Sequence, residues 1–126
     1  MADPSIRILI VEDEMYIREL YQRLLLAEGY QVDTAADGEA GLMAIKKGGY
    51  DLVLLDIILP KLDGLKILEY IAGDQQAIKA NKGIVILSNL GQETIVSHGK
   101  FLGVKGHLVK TDLTPQEFIN EVKKYL

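Results

Sequence analysis

The chain has 126 residues, 48% of them hydrophobic, and a net charge of −4; this fits one domain with ample core material and argues against a nucleic-acid footprint. It has no cysteine, which excludes a disulfide framework, a thiolate metal site and a thiol nucleophile. The opening Met1-Ala-Asp-Pro-Ser5 lacks a basic region followed by an apolar stretch, and no apolar run reaches the ~20 residues of a membrane span, so a cytoplasmic chain is expected.

Apolar runs and helical patterns alternate along the chain. The first strand is expected at 6–11. A helix follows, with Ile17, Leu20, Tyr21 and Leu24 at helical spacing and Gly29 closing it. Residues 31–35 read as a short strand of mixed pattern. Asp37 is a cap for a second helix that runs to Lys47 and stops at Gly48-Gly49. Residues 51–56 form the third strand, whose Leu52 to Leu55 core is apolar without alternation, as in a central strand covered on both faces. Pro60 and Gly64 mark the following loop, Asp63 and Gly64 serving as turn and helix entry. The third helix is expected at 65–72, with Leu68, Ile71 and Ala72 facing inward. Residues 73–82 make a long polar connection, with room for an extra helical turn. A fourth strand is expected at 84–87, and a weak helix at 94–102, where Ser97, His98 and Gly99 lower the propensity. The fifth strand is expected at 107–109. The last helix has the clearest start: Thr114 caps it, Pro115 is its first residue and Glu117 completes a capping box. Phe118, Val122 and Tyr125 or Leu126 then form its apolar face.

Five strands alternating with five helices predict an α/β fold, a doubly wound parallel sheet with helices on both faces, in one domain spanning 1–126. In such sheets ligands bind outside the carboxyl ends of the strands. Four charged residues lie at strand ends here: Glu12 and Asp13 after the first, Asp56 on the third and Lys110 after the fifth. A charge inside a buried strand is costly, whereas at this edge it builds a site. His98 and His107 form no recognisable metal-ligand motif. The Lys46-Lys47 and Lys123-Lys124 pairs read as solvated faces.

The pieces Ile8-Leu-Ile-Val-Glu12-Asp13-Glu14, Asp51-Leu-Val-Leu-Leu-Asp56-Ile-Ile-Leu-Pro60-Lys-Leu-Asp63-Gly64, Ile84-Val-Ile-Leu-Ser88 and Gly106-His107-Leu-Val-Lys110 together resemble the receiver domain of bacterial two-component response regulators, of the chemotaxis type. The resemblance covers essentially the whole chain and implies the flavodoxin-like strand order 2-1-3-4-5. It implies that Asp56 is the phosphoryl acceptor and Asp13 a direct Mg²⁺ ligand, with Glu12 acting through bound water and the Ile58 carbonyl as a backbone ligand. Ser88 corresponds to the hydroxyl that reports the phosphoryl group, and Lys110 to the lysine that bridges to it. The physics of the residues agrees. Three carboxylates repel one another without a cation. Mg²⁺ accepts one or two carboxylates together with phosphate oxygens, and lysine supplies a compact positive charge.

The implied function is a phosphorylation-controlled signalling switch rather than an enzyme. It would be charged by a histidine kinase or phosphotransfer protein and read by a downstream effector or output domain, without direct nucleic-acid or membrane contact. A homodimer through the fourth helix, fifth strand and fifth helix is a further implied partner. The alternatives are a pseudo-receiver that only binds, and an aspartate-nucleophile phosphatase, which would need a second Asp where Ile58 stands. Three positions depart from the family pattern. His107 replaces the usual Tyr or Phe of the switch, Thr111 replaces the proline after the lysine, and Asn89 replaces a small residue. Ile58 and Leu90, two past the acceptor and two past the switch hydroxyl, cannot hydrogen-bond a hydrolytic water.

Overall fold

The structure, a computed structural model, describes residues 5–89, 91–101 and 103–126, with residues 78 and 98–101 described through their backbone alone. The strands are β1 (Arg7–Val11), β2 (Gln31–Ala35), β3 (Leu52–Asp56), β4 (Ile84–Ser88) and β5 (Gly106–Val109). All pair in parallel, in the order β2-β1-β3-β4-β5. The helices are α1 (Met15–Ala27), α2 (Gly38–Lys47), α3 (Gly64–Ala72), α4 (Gln75–Lys79), α5 (Glu93–Phe101) and α6 (Pro115–Lys124). The described helices therefore number six rather than five. The extra one, α4, occupies the long connection after α3 because Asp74 accepts hydrogen bonds from the Gln76 and Ala77 amides, satisfying its first turn.

Each central strand sends alternate side chains into two cores, which is why their apolar runs do not alternate with polar residues. On one face Leu9, Val11, Val53, Leu55 and Ile86 pack with Ile45, Ile67, Leu68 and Ile71. On the other, Ile8, Ile10, Leu52, Leu54 and Leu87 pack with Tyr21, Leu25, Phe118 and Val122. Tyr21 of α1 stacks on Phe118 of α6, with ring centroids 4.0 Å apart, and so ties together the two helices of that face. One inward-facing assignment needs correction. In α3 the buried residues include Ile67, with Leu68 and Ile71, while Ala72 is exposed. In α1 Leu25 is buried and Leu20 is 41% exposed, because the packed stripe follows Tyr21 to the next turn.

The helix ends follow the local chemistry. Asp37 accepts from the Ala40 amide and Asp63 from the Lys66 amide. Thr114 and Glu117 form the reciprocal capping box at α6. Gly48 and Gly49, at φ +74° and +92°, carry the chain out of α2 in a region that side chains rarely enter. Among the described residues no helix is long and apolar enough to cross a membrane.

Candidate functional site

The order of the sheet determines where the site falls. From β1 the chain winds outward to β2, then returns to β3 and winds the other way, leaving a crevice beyond the carboxyl ends of β1 and β3. Glu12 and Asp13 follow β1 directly, and Asp56 is the last residue of β3. The Glu12 amide donates to the Ala35 carbonyl (3.1 Å), which carries the ladder one residue past β1. Glu12 is fully buried, Asp56 nearly so, and Asp13 is exposed. The β3–α3 loop begins with the Ile58 amide donating to Asp56 Oδ1 (3.3 Å) and closes with the Gly64 amide donating to the Ile57 carbonyl (2.7 Å). Gly64 is required there: a Cβ would lie 2.2 Å from the Asp56 carbonyl oxygen.

Lys110 brings the distant pieces together. Its Nζ donates to Glu12 Oε1 at 2.8 Å and to Asp56 Oδ2 at 3.0 Å, and its side chain is only 6% exposed. Burial opposes its charge, but the bonds to Glu12 and Asp56 hold its pKa above the ordinary lysine value. On Glu12, burial is the dominant influence. With hydrogen bonding to Asp56, and against the pull of Lys110, it pushes the carboxyl up to about 8. One ammonium facing several carboxylates leaves an excess of negative charge, and a proton on Glu12 relieves part of it.

Glu12, Asp13 and Asp56 each offer an oxygen within 4.8 Å of the others. Opposite ligands of a Mg²⁺ ion lie about 4.2 Å apart, given Mg–O distances of 2.0–2.1 Å. Small side-chain adjustments therefore suffice to enclose such an ion. Oε2 of Glu12 is buried and, among the described residues, accepts no hydrogen bond, which leaves an acceptor for a cation or its water. The donor set fits a hard divalent cation, and the exposed Asp13 gives it a path from solvent.

Ser88, at the end of β4, is buried, and its hydroxyl donates to the Leu108 carbonyl at 3.4 Å rather than to a carboxylate. Half-buried His107 lines a recess of about 210 Å³ with Ser88, Glu93, Val96 and Ser97. Asn89 is exposed, and its amide donates to the Gln92 side chain. Ile58 is 52% exposed beside the crevice. Leu90 and the side chain of His98 lie outside the described residues. After Lys110 the chain makes a 3-10 turn over Lys110–Asp112, with Thr111 inside it. One contributor escaped the sequence reading. Arg18 donates from one guanidinium nitrogen to the carbonyls of Glu12 (3.0 Å) and Asp13 (3.2 Å), pinning the acidic loop to α1. Its only signal was a basic residue one turn into the helix that follows the acidic pair.

Comparison with known proteins identifies the family. Residues 8–123 match the family model of the response regulator receiver domain. The chain belongs to the receiver domain family. The receiver is 40% identical over 107 residues to the chemotaxis protein CheY of Treponema pallidum, covering 82% of this chain and 72% of that protein. It is 36% identical over 120 residues to sporulation initiation phosphotransferase F of Bacillus subtilis, covering 95% and 93%. Transcriptional regulatory protein DltR of Streptococcus agalactiae is 57% identical over 63 residues, half of this receiver and 28% of that protein. Among solved structures, response regulator TrrA from Thermotoga maritima in complex with Mg²⁺-BeF superimposes with a TM-score of 0.79 at 34% identity, covering 96% of this receiver and 99% of that chain. The receiver is thus a signalling domain of the two-component type.

Proposed function

We propose that this receiver is a phosphorylation-controlled switch whose acceptor is Asp56, with 1–126 acting as one domain. The observation that carries the reading is the buried ammonium of Lys110 held between Glu12 and Asp56, with Asp13 alongside at the sheet's switch point. An Asp56 oxygen attacks the phosphorus of a phosphohistidine on a histidine kinase or phosphotransfer protein. A P–O bond forms, and the P–N bond breaks with its electron pair going to the imidazole. Such transfer depends on positioning and charge stabilisation more than on covalent help.

Glu12, Asp13, Asp56 and the Ile58 carbonyl are the residues that would hold Mg²⁺. When bound, the ion supplies the charge neutralisation that lets a carboxylate approach a phosphoryl group. Lys110 leaves Glu12 to follow the added negative charge on Asp56. Ser88 exchanges its bond to the Leu108 carbonyl for a phosphoryl oxygen, and the recess beside His107 gives the neighbouring side chains room to move. The altered surface, formed by α5, β5 and α6, meets an effector, an output domain or a second copy of the chain. A cytoplasmic location suits such partners.

The test is amide NMR before and after incubation with acetyl phosphate and Mg²⁺. Shifts should spread from Asp56 to Ser88, the first turn of α5 and His107. Shifts confined to the neighbours of Asp56 would refute a transmitted switch. Turnover of many phosphate esters would indicate a phosphatase instead.

A further inference from the structure

At the opposite edge of the sheet from the acidic site, a recess opens between α3, α4 and the segment leading into β5. It encloses about 390 Å³, within the ~300–1,000 Å³ of small-molecule sites. Its walls are apolar: Leu68 and Ile71 from α3, Ala77 from α4, Ile84 at the start of β4, and Val104. Two lysines, Lys82 and Lys105, stand at its rim and also line a neighbouring recess with Asp51 and Leu126.

Hydrogen bonds fix the segments that frame this recess. The Asn81 side chain donates to the Ile45 carbonyl (2.9 Å) and accepts from the Tyr50 amide (3.1 Å). The Gly49 amide donates to the Ala80 carbonyl, and the Lys82 amide to the Tyr50 carbonyl. These bonds draw the segment after α4 toward the start of β3. On the other wall the Lys105 amide donates to the Ile84 carbonyl at 2.8 Å. A Cβ on Gly83 would lie 2.6 Å from both Cδ and Cε of Lys105, so the missing side chain lets the lysine stem lie across the backbone at the edge of the recess. Lys82 is matched by Asp51 at 3.0 Å. Among the described residues no acidic group pairs with Lys105.

We infer that this recess is a binding site for a small amphipathic carboxylate, an alkyl chain of medium length with one anionic head. The apolar walls call for a hydrocarbon body, since a polar one would lose its hydrogen bonds to water there. One unmatched ammonium calls for one negative charge; a phosphate ester would demand more donors than Lys105 supplies, and an amine would be repelled. Ile84 of the recess lies one strand length, about 13 Å, from Ser88, so the recess is separate from Asp56.

Octanoate, octanol and octylammonium, each below its micelle concentration, separate these demands in amide NMR titrations of the full chain. Octanoate should shift the amides of Ala77, Ile84 and Val104 saturably, and bind about fivefold more tightly than octanol, the most that an exposed ion pair provides. Octylammonium should bind more weakly than octanol. Lys105→Gln should weaken octanoate about fivefold and leave octanol unchanged. Ala72→Phe, at an exposed lining position, should abolish both without unfolding the chain. Asp56→Asn should bind octanoate as the native chain does. Unsaturable shifts, equal affinity for the three probes, or octanoate binding that survives both lining variants would overturn the assignment.

Discussion

Replacing Lys110 by Met removes the ammonium while keeping a long apolar stem in its place. In the native chain that ammonium lies 2.8 Å from a fully buried Glu12 and 3.0 Å from a 4% exposed Asp56 side chain. Breaking a buried pair by deleting one partner costs about 3–5 kcal/mol, because the other charge stays buried. The lower end applies here: Glu12, already pushed up to about 8, holds a proton through much of the neutral range and leaves mainly Asp56 uncompensated. With an unfolding entropy of about 2.1 cal/mol/K per residue over 126 residues, a loss of about 3 kcal/mol lowers Tm by about 11 °C. Differential scanning calorimetry at pH 7 in chelator measures this directly. Saturating Mg²⁺ should narrow the gap, because a second cation source then faces the same carboxylates. Adding Glu12→Gln should give a double variant less destabilised than the sum of the singles, since the two groups share one network. A Lys110→Met chain that melts within about 2 °C of the native one in chelator would refute the claim that this lysine neutralises buried acid.

Three further outcomes follow from particular contacts. Asp51 accepts from the Arg7 amide at 2.8 Å and from Lys82, and the Arg7 bond above all holds its pKa below the usual aspartate value. Its stabilisation is therefore present above the unfolded pKa of about 3.9 and lost as pH falls through the lower folded value; Asp51→Asn should flatten that acid limb of a urea-stability profile, and an unchanged limb would contradict it. Gly64→Ala places a methyl group 2.2 Å from the Asp56 carbonyl oxygen and 2.8 Å from the Ile57 Cα; an overpacking cost of about 1–3 kcal/mol should appear in urea unfolding, and a change below about 0.5 kcal/mol would mean that α3 shifts freely. Half-exposed Ile58 beside the crevice offers no hydrogen bond from its side chain to a hydrolytic water, so the phosphorylated chain should lose its phosphoryl group faster as Ile58→Asn, and an equal or slower decay rate would remove Ile58 from that role.

The strands were legible because their chemistry is local and redundant: Leu52 to Leu55 have no polar face to offer, and Asp56 closes the apolar run. The caps at Asp37, Asp63 and Thr114 were legible for the same reason, each being a side chain serving amides two or three residues away. Tertiary context governed what was missed. The polar tract around Gln75 and Gln76 left room for a helical turn without placing it; Asp74 and the packing of Ala77 into the core make it a helix. Ala72 has an inward-facing residue type, but the rotation of α3 is set by Ile67, Leu68 and Ile71. At the site, the charged strand ends located the crevice, whereas the contact of Lys110 with both acids joins residues 54 and 98 positions apart, which no local pattern encodes. The anchoring of the acidic loop by Arg18 depends on backbone carbonyls, which leave no trace in side-chain spacing.

Acceptance of a phosphoryl group by Asp56, with the aid of a divalent cation, is open to direct measurement. Intact mass spectrometry of the native chain and of Asp56→Asn, each incubated with acetyl phosphate in Mg²⁺ or in excess chelator, tests it most directly. The native chain should gain one phosphoryl group in Mg²⁺ and none in chelator, and the variant should gain none in either. Undiminished labelling of Asp56→Asn would contradict the acceptor, and equal labelling of the native chain in chelator would contradict the metal site.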